Sequence, residues 1–427
     1  MARLSVRRIV VIGAGVIGTT TAHALRAEGH EVCLLEAAPS AASASSHANG
    51  GFLSAAFCVP WASPGLPSQA AAAMLDRLAP FRWRPDGRLG QLRWMRQLAS
   101  RCNSEHFARA RDRLVRLGLF SRACLHKVVA DTGVGFDFLE AGVLLLLRQS
   151  QSSEVLDARL TQLQGLGFRA RWLDADQVRA LEPALSDSTQ LAGAILVEDD
   201  ACGDCERFVQ GLLNWNVARG MSFEPDTRID GLELDESSGR LRAVRAGGRH
   251  WSADAFVFCT GVDTARLLRS HLSIPVEPVK GYSVTATLEP QHGPRRAIID
   301  DSSKLAVSRL GDRVRLAGMA ELVGYDPTVN RSRCAQLVSQ YEALYARLPE
   351  TGRSLWSGLR PMTPDGVPIV GSTSIEGLYL NTGHGAYGWT LACGSAQLLA
   401  DVLARRSTSF EPGLDPGAYC LDPRVRS

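Results

Sequence analysis

The chain has 427 residues, long for one hydrophobic core, so two domains are expected. Its 45% hydrophobic and 21% charged content is ordinary for a globular protein, and the net charge of +3 arises from mixed signs, which calls for no nucleic-acid partner. Ten cysteines, sparse and irregularly placed, suit the reduced thiols of a cytoplasmic protein, and no stretch reaches the ~20 consecutive apolar residues that span a bilayer.

The run Ile9-Val10-Val11-Ile12 is short, β-branched and followed by glycine, the pattern of a buried parallel strand. Gly13-Ala14-Gly15-Val16-Ile17-Gly18 comes next, with a helix predicted over Val16 to Ala27 and a second strand, Glu31 to Leu35, ending at Glu36. Gly13 permits the tight turn, Gly15 lets a pyrophosphate approach the backbone between Ile12, Val16 and Ile17, and Gly18 lets the helix pack close to the strand. The helix N-terminus offers N–H groups and a positive dipole end to phosphates, and the Glu36 carboxylate can take the hydroxyls of an adenosine ribose. Together these residues read as a dinucleotide site, for NAD or for FAD. A signal peptide is rejected, because the glycines and Thr19-Thr20-Thr21 break the apolar run after Arg7-Arg8.

Small polar residues follow, ending Ser45-Ser46-His47-Ala48-Asn49-Gly50-Gly51. Small side chains and glycines let a backbone lie against a flat ring system, although a surface loop is the plainer alternative, and His47 taken singly is more often structural than catalytic. Phe52 to Leu75 is apolar but broken by proline, which excludes one helix and suits a loop covering a pocket. Helical periodicity dominates from Leu89 to Ala130, and the interleaved arginines of Arg109 to Arg116, like Arg405-Arg406, suit solvated helix faces better than an anionic membrane surface. A strand is expected at Gly142 to Leu147, helices near Ser152 to Leu166 and Asp174 to Leu181, and a strand at Ala192 to Val197. Neither Glu198-Asp199-Asp200 nor Cys202-Gly203-Asp204-Cys205 has the partners a metal site requires, so no metal is expected. A helix over Cys205 to Arg219 and strands at Arg228 to Leu234 and Leu241 to Ala246 follow.

Ala253 to Gly261 is another buried strand ending in glycine, which suggests a return to the nucleotide-binding sheet. Val276 to Met319 alternates with period two, as an antiparallel sheet of a second domain would, and Arg331 to Leu348 reads as an amphipathic helix closing that domain. Near the end, Leu378 to Thr382 runs into Gly383-His384-Gly385-Ala386-Tyr387-Gly388-Trp389-Thr390 and then a helix to about Ala404. That is a second strand, glycine turn and helix N-terminus able to receive negative charge.

These motifs resemble those of bacterial FAD-dependent D-amino-acid dehydrogenase, within the superfamily of D-amino-acid oxidase, glycine oxidase and sarcosine oxidase. The resemblance rests on Gly13-x-Gly15-x-x-Gly18 with Glu36, Ser46-x-x-Asn49-x-Gly51, Gly203-Asp204-Cys205, Lys280-Gly281-Tyr282-Ser283 and Gly318-Met319-Ala320-Glu321. Gly358-Leu359-Arg360-Pro361-Met362-Thr363-Pro364-Asp365-Gly366 and Asn381-Thr382-Gly383-His384-Gly385 complete it. It implies an α/β chain with a discontinuous Rossmann-type FAD domain (residues 1–60, 190–272 and 355–427) and an α+β substrate domain (61–189 and 273–354) with a mainly antiparallel sheet. It implies oxidative deamination of a D-amino acid to a 2-oxo acid and ammonia, with electrons passed to a quinone or another acceptor. A D-hydroxyproline or other secondary-amine substrate is the alternative within this fold, and an NAD enzyme or a non-catalytic dinucleotide-binding protein the alternative outside it.

Arg360 is then the expected carboxylate clamp, Tyr282 a hydroxyl donor to the same carboxylate, and His47 a candidate pocket residue. Ser45, Ser46, Asn49, Gly50, Gly51, Gly261, Gly383, His384, Gly385, Gly388, Trp389 and Thr390 join the residues of the first motif as expected FAD contacts. Trp356 to Met362 has no cysteine, so the FAD is expected to be non-covalent. Membrane contact, if any, is expected to be peripheral, on the inner face of the cytoplasmic membrane.

Overall fold

A computed structural model describes residues 7–73, 79–149, 151–404 and 414–421; Arg405-Arg406 lie outside the described residues. Strand Arg8–Ile12 is central in a six-stranded sheet, paired in parallel with Glu31–Leu35 on one side and Ala255–Phe258 on the other. Ser222–Glu224 extends one edge in parallel; on the other, Leu378–Thr382 is parallel to Ala255–Phe258 and carries Ile369–Ser372 antiparallel at the edge. Helix Val16–Ala27 follows the first strand as the sequence predicts.

The second sheet has nine strands, ordered Ser354–Met362, Glu277–Thr287, Arg313–Leu322, Leu305–Leu310, Ala297–Asp300, Val143–Leu147, Gly193–Val197 and Ala170–Asp174, with Phe81–Trp83 set against Arg313–Leu322. Most pairs are antiparallel, but Ala297–Asp300 runs parallel to Val143–Leu147. A three-stranded meander, Ile229–Leu234, Leu241–Ala246 and Arg249–Ser252, packs on the nucleotide sheet.

Several expected boundaries move. Strands Gly193–Val197 and Ser354–Met362 belong to the nine-stranded sheet, although residues 190–272 and 355–427 are expected in the FAD domain. Conversely, helix Ser104–Thr132, expected in the substrate domain, buries Ala110, Leu114, Leu117, Phe120 and Leu125 in the core beneath the nucleotide sheet. Apolar periodicity reports which side of an element is buried but not which sheet supplies the neighbour. The single periodic stretch from Leu89 to Ala130 is two helices, Leu89–Ser100 and Ser104–Thr132, divided where Asn103 adopts an extended conformation and accepts from the His106 N–H to cap the second. Helix Arg331–Glu342 stops short of Leu348, and strand Ala170–Asp174 fills the edge beside Gly193–Val197 where only a helix start at Asp174 is expected.

Candidate active site

The two sheets enclose a cavity of about 970 Å³, at the upper end of the roughly 300–1,000 Å³ typical of ligand sites. One end is made by the first motif. Gly13, at φ +99°, turns the chain at the end of its strand, while Gly15, Val16 and Ile17 face the cavity. Ser46 Oγ accepts from the Val16 N–H at 2.9 Å, tying the helix start to the small-residue loop. Glu36 sits at the end of the second strand, where Oε2 accepts from the Ala14 N–H at 2.6 Å and Oε1 from the Ala38 N–H at 2.9 Å. These two bonds hold the carboxylate on the cavity wall beside Thr227, Arg228 and Ile229, three residues the sequence reading does not select.

The loop from Ser45 to Gly51 is clamped beneath the nine-stranded sheet. Ser45 Oγ donates to the Leu359 carbonyl at 2.6 Å, Ser283 Oγ to the Ala48 carbonyl at 2.8 Å, and Ser308 Oγ to the Gly50 carbonyl. The nucleotide side is locked to the same sheet through Asp204, which caps helix Cys205–Val217 and pairs with Arg313 at 2.7 Å. Opposite, residues 383–390 lead into helix Gly388–Leu403, and Asn381 lies beside them on the wall.

The residues fit a large, flat, polar-edged cofactor. His384 is 1% exposed on the cavity wall, and neither ring nitrogen has a protein partner. Burial pushes its pKa down to about 3, so the ring is neutral and can offer one donor and one acceptor. Asn381 donates its amide to Thr21 Oγ1 at 2.9 Å and leaves its buried carbonyl oxygen unpartnered. Buried polar atoms without partners on a cavity wall are what a ligand would satisfy.

Strand Ser354–Met362 sends Trp356, Gly358 and Arg360 to the cavity by its two-residue alternation. Arg360 Nη1 donates to the Met319 carbonyl at 2.8 Å, and among the described residues no carboxylate pairs with this guanidinium. Desolvation pulls its pKa down to about 10, offset in part by Tyr387, so it stays charged at neutral pH. Of the other wall cations, Arg266 and Lys304 are held by Asp263 at 2.7 Å and Asp301 at 2.6 Å, while Arg228 stands at the Glu36 end of the cavity and forms no ion pair among the described residues. The Met319 carbonyl reaches Arg360 across strand Glu277–Thr287, at a bulge in Arg313–Leu322: Lys280 opposes Glu321 but Tyr282 opposes Gly318, and Met319 in the extra length adopts φ +62°.

All the expected cofactor contacts except Gly18 line the cavity. Gly18 is instead the point of closest helix–strand approach, since a Cβ there would overlap the Gly13 carbonyl oxygen. Two expected site residues have side-chain partners within the protein. Tyr282 is 2% exposed and commits its hydroxyl proton to Glu321 at 2.7 Å, which in turn accepts from Arg333 at 2.7 Å. Tyr282 lines the cavity, but its hydroxyl proton is directed to Glu321. His47 is absent from the cavity wall; it is half-exposed, and its Nδ1 meets Glu206 at 2.9 Å.

Sequence reading also passes over Tyr387, which stands beside Arg360 and donates to the Val59 carbonyl at 2.7 Å. It passes over the aromatic wall of Phe57, Trp61 and Phe81 too. For Phe57 and Trp61 the signal was the proline-broken apolar segment itself, whose individual side chains point either way only once the chain is folded.

A parallel nucleotide sheet joined to a mostly antiparallel sheet across one cavity is the architecture of a FAD-dependent oxidoreductase, and FAD is the cofactor. The family model for DAO, FAD-dependent oxidoreductase, matches residues 8–402, and the chain belongs to that family. This membership replaces the NAD-dependent and non-catalytic alternatives. The structure resembles glycine oxidase from Geobacillus kaustophilus, with a TM-score of 0.74 at 22% identity over 98% of this chain and 99% of that one. It also resembles L-proline dehydrogenase from P. horikoshii (TM-score 0.71, 16% identity, 96% and 97% coverage). A third match is iminodiacetate oxidase from Chelativorans sp. BNC1 (TM-score 0.70, 19% identity, 97% and 98% coverage).

Proposed function

We propose that this flavoprotein oxidises the amine-bearing carbon of an amino acid, with D-amino acids as the substrates and a quinone or another acceptor taking the electrons. The observation that carries the reading is Arg360, a charged guanidinium on the cavity wall with one carbonyl partner and no acid among the described residues. A substrate carboxylate is the planar anion that its remaining N–H groups fit in a bidentate pair. The D preference is supported by the motif resemblance, from Lys280-Gly281-Tyr282-Ser283 to Asn381-Thr382-Gly383-His384-Gly385.

FAD supplies the acceptor for the hydride that leaves Cα. Arg360 holds the carboxylate and so sets where Cα lies, while Phe57, Trp61 and Phe81 keep water from the amine. Exclusion of water favours the neutral amine, the form that can release the hydride. No side-chain base is required: the iminium ion left by hydride departure loses a proton to solvent, and the imine is hydrolysed to a 2-oxo acid and ammonia. His384 is already neutral and serves as a hydrogen-bond partner of the cofactor.

The FAD is held without a covalent bond. Cys259 is the cysteine on the described cavity wall, and burial pushes its thiol up to about 12, leaving no nucleophilic thiolate. Heat denaturation is expected to release all the flavin to the supernatant; yellow colour retained by the precipitate would refute this.

A second reading, a D-hydroxyproline or other secondary-amine substrate, is favoured by the structural neighbours, whose names include a proline dehydrogenase and an iminodiacetate oxidase. Anaerobic bleaching of the flavin by D- and L-amino acids, prolines, glycine and sarcosine separates the readings. D-amino acids should bleach it most completely. Bleaching by L-isomers alone would overturn both.

Gly281 offers a sharper test of Arg360. A Cβ at Gly281 would fall inside the Arg360 guanidinium, so Gly281→Ala must displace that group while leaving the nucleotide end untouched. The expected result is a drop in kcat/KM of up to about 100-fold from misplacement alone, with FAD retained. Unaltered kinetics in this variant would mean that Arg360 does not position the substrate.

A further inference from the structure

Helix Leu89–Ser100 buries Gln91 and Trp94 against the protein, and Trp94 Nε1 donates to the Met362 carbonyl at 2.9 Å. Its opposite stripe, at positions i, i+3, i+4 and i+7, is Leu89, Leu92, Arg93 and Arg96. Leu89 is 81% exposed and Leu92 52%, two of the few large apolar side chains left so open among the described residues. Residues 79–101 hold six arginines against one aspartate. Arg88 is engaged with Asp86 and Glu277, whereas Arg82, Arg84, Arg93 and Arg96 are exposed and form no ion pair among the described residues.

We propose that this face, the exposed Leu89, Leu92, Arg93 and Arg96 of the helix together with the exposed Arg82 and Arg84 just before it in the chain, docks the protein on an anionic lipid bilayer. The charge is one-sided, which suits anionic headgroups, and the two leucines stand where they would enter the acyl boundary. A short exposed apolar pair amid unpaired arginines is poorly suited to a second copy of the same surface, because the like charges would meet. The face is also continuous with the cavity. Phe81, one residue before Arg82 on the same strand, lines it together with Pro80, Leu66 and Ala70. Docking there would bring a lipid-dissolved electron acceptor to the apolar side of the site, a consequence that rests on the proposed function; the docking itself does not.

The test is co-sedimentation of the FAD-loaded protein with phosphatidylcholine vesicles, with and without phosphatidylglycerol. Binding to the phosphatidylglycerol vesicles that weakens in raised salt is expected. The double variants Leu89→Glu/Leu92→Glu and Arg93→Glu/Arg96→Glu should each reduce it by about tenfold or more, with flavin bleaching by a soluble substrate unchanged. No binding to the anionic vesicles, or binding that both variants retain, overturns the proposal. So does a change of elution volume on size exclusion in place of a change in vesicle binding, which would make the occupant a second copy of the chain. Bleaching is read separately, so failure of the docking proposal and failure of the functional reading are distinguishable.

Discussion

Arg360→Ala is expected to raise the amino-acid concentration for half-maximal flavin reduction by thirtyfold to several thousandfold, with FAD still bound. The range follows from the roughly 2–5 kcal/mol lost when one partner of a desolvated ion pair is truncated. It applies here because, among the described residues, the guanidinium has the Met319 carbonyl at 2.8 Å and no carboxylate to fall back on. Arg360→Lys should recover part of the loss, since the charge returns but the planar fork does not. Rapid-mixing reduction of the anaerobic enzyme over a range of substrate concentrations measures both. If Arg360→Ala leaves that concentration dependence unaltered, the carboxylate is held elsewhere and the proposed substrate chemistry loses its main support.

The second large effect is expected at Gly18→Ala. A Cβ at Gly18 would overlap the Gly13 carbonyl oxygen, and that atom belongs to the turn that presents Gly15 to the pyrophosphate. The helix Val16–Ala27 must therefore move off its strand, in a core where Thr19, Thr20 and Thr21 are all buried and leave no slack. Overpacking of this kind costs about 1–3 kcal/mol, and the flavin adds its own loss, because a protein that binds no ligand forfeits the stabilisation of binding. The purified variant should be colourless or nearly so, and its Tm should fall by several degrees. Normal flavin content with an unchanged Tm would show that the helix–strand contact tolerates the methyl group.

These two residues also show how differently parts of the molecule can be read. Gly18 is interpretable from a contiguous stretch, Arg8 to Glu36, because strand, turn, helix and strand are each set by near neighbours: β-branched residues, a glycine at positive φ, and a helical pattern. The glycine-rich turn before Trp389 is legible for the same reason. Arg360 is legible as a residue type in a distinctive motif, but its freedom from any acid is a property of everything packed around it. Tyr282 is the counter-example. It sits in an equally distinctive motif, yet the fold turns its hydroxyl to the buried Glu321–Arg333 pair. His47 likewise lies between cavity-lining Ser46 and Ala48 and still points away, to Glu206.

The amino-acid sequence by itself determined the dinucleotide-binding unit and the segments that meet at the site, because their signals lie in local backbone preference and short-range periodicity; FAD rather than NAD followed from the motif resemblance and the family match. Only the tertiary structure decided which side chains face the cavity. Strand register and one bulge settle that: the Met319 carbonyl that meets Arg360 lies in the extra length between Gly318 and Glu321. It also decided which core each element joins, as with Ser104–Thr132 beneath the nucleotide sheet and Gly193–Val197 in the other one. The physical reason is common to these cases: a residue's period says that one side is buried, while the partner that buries it is set by contacts outside the local stretch, 41 residues apart for Met319 and Arg360 and 273 for Ser121 and Gly394.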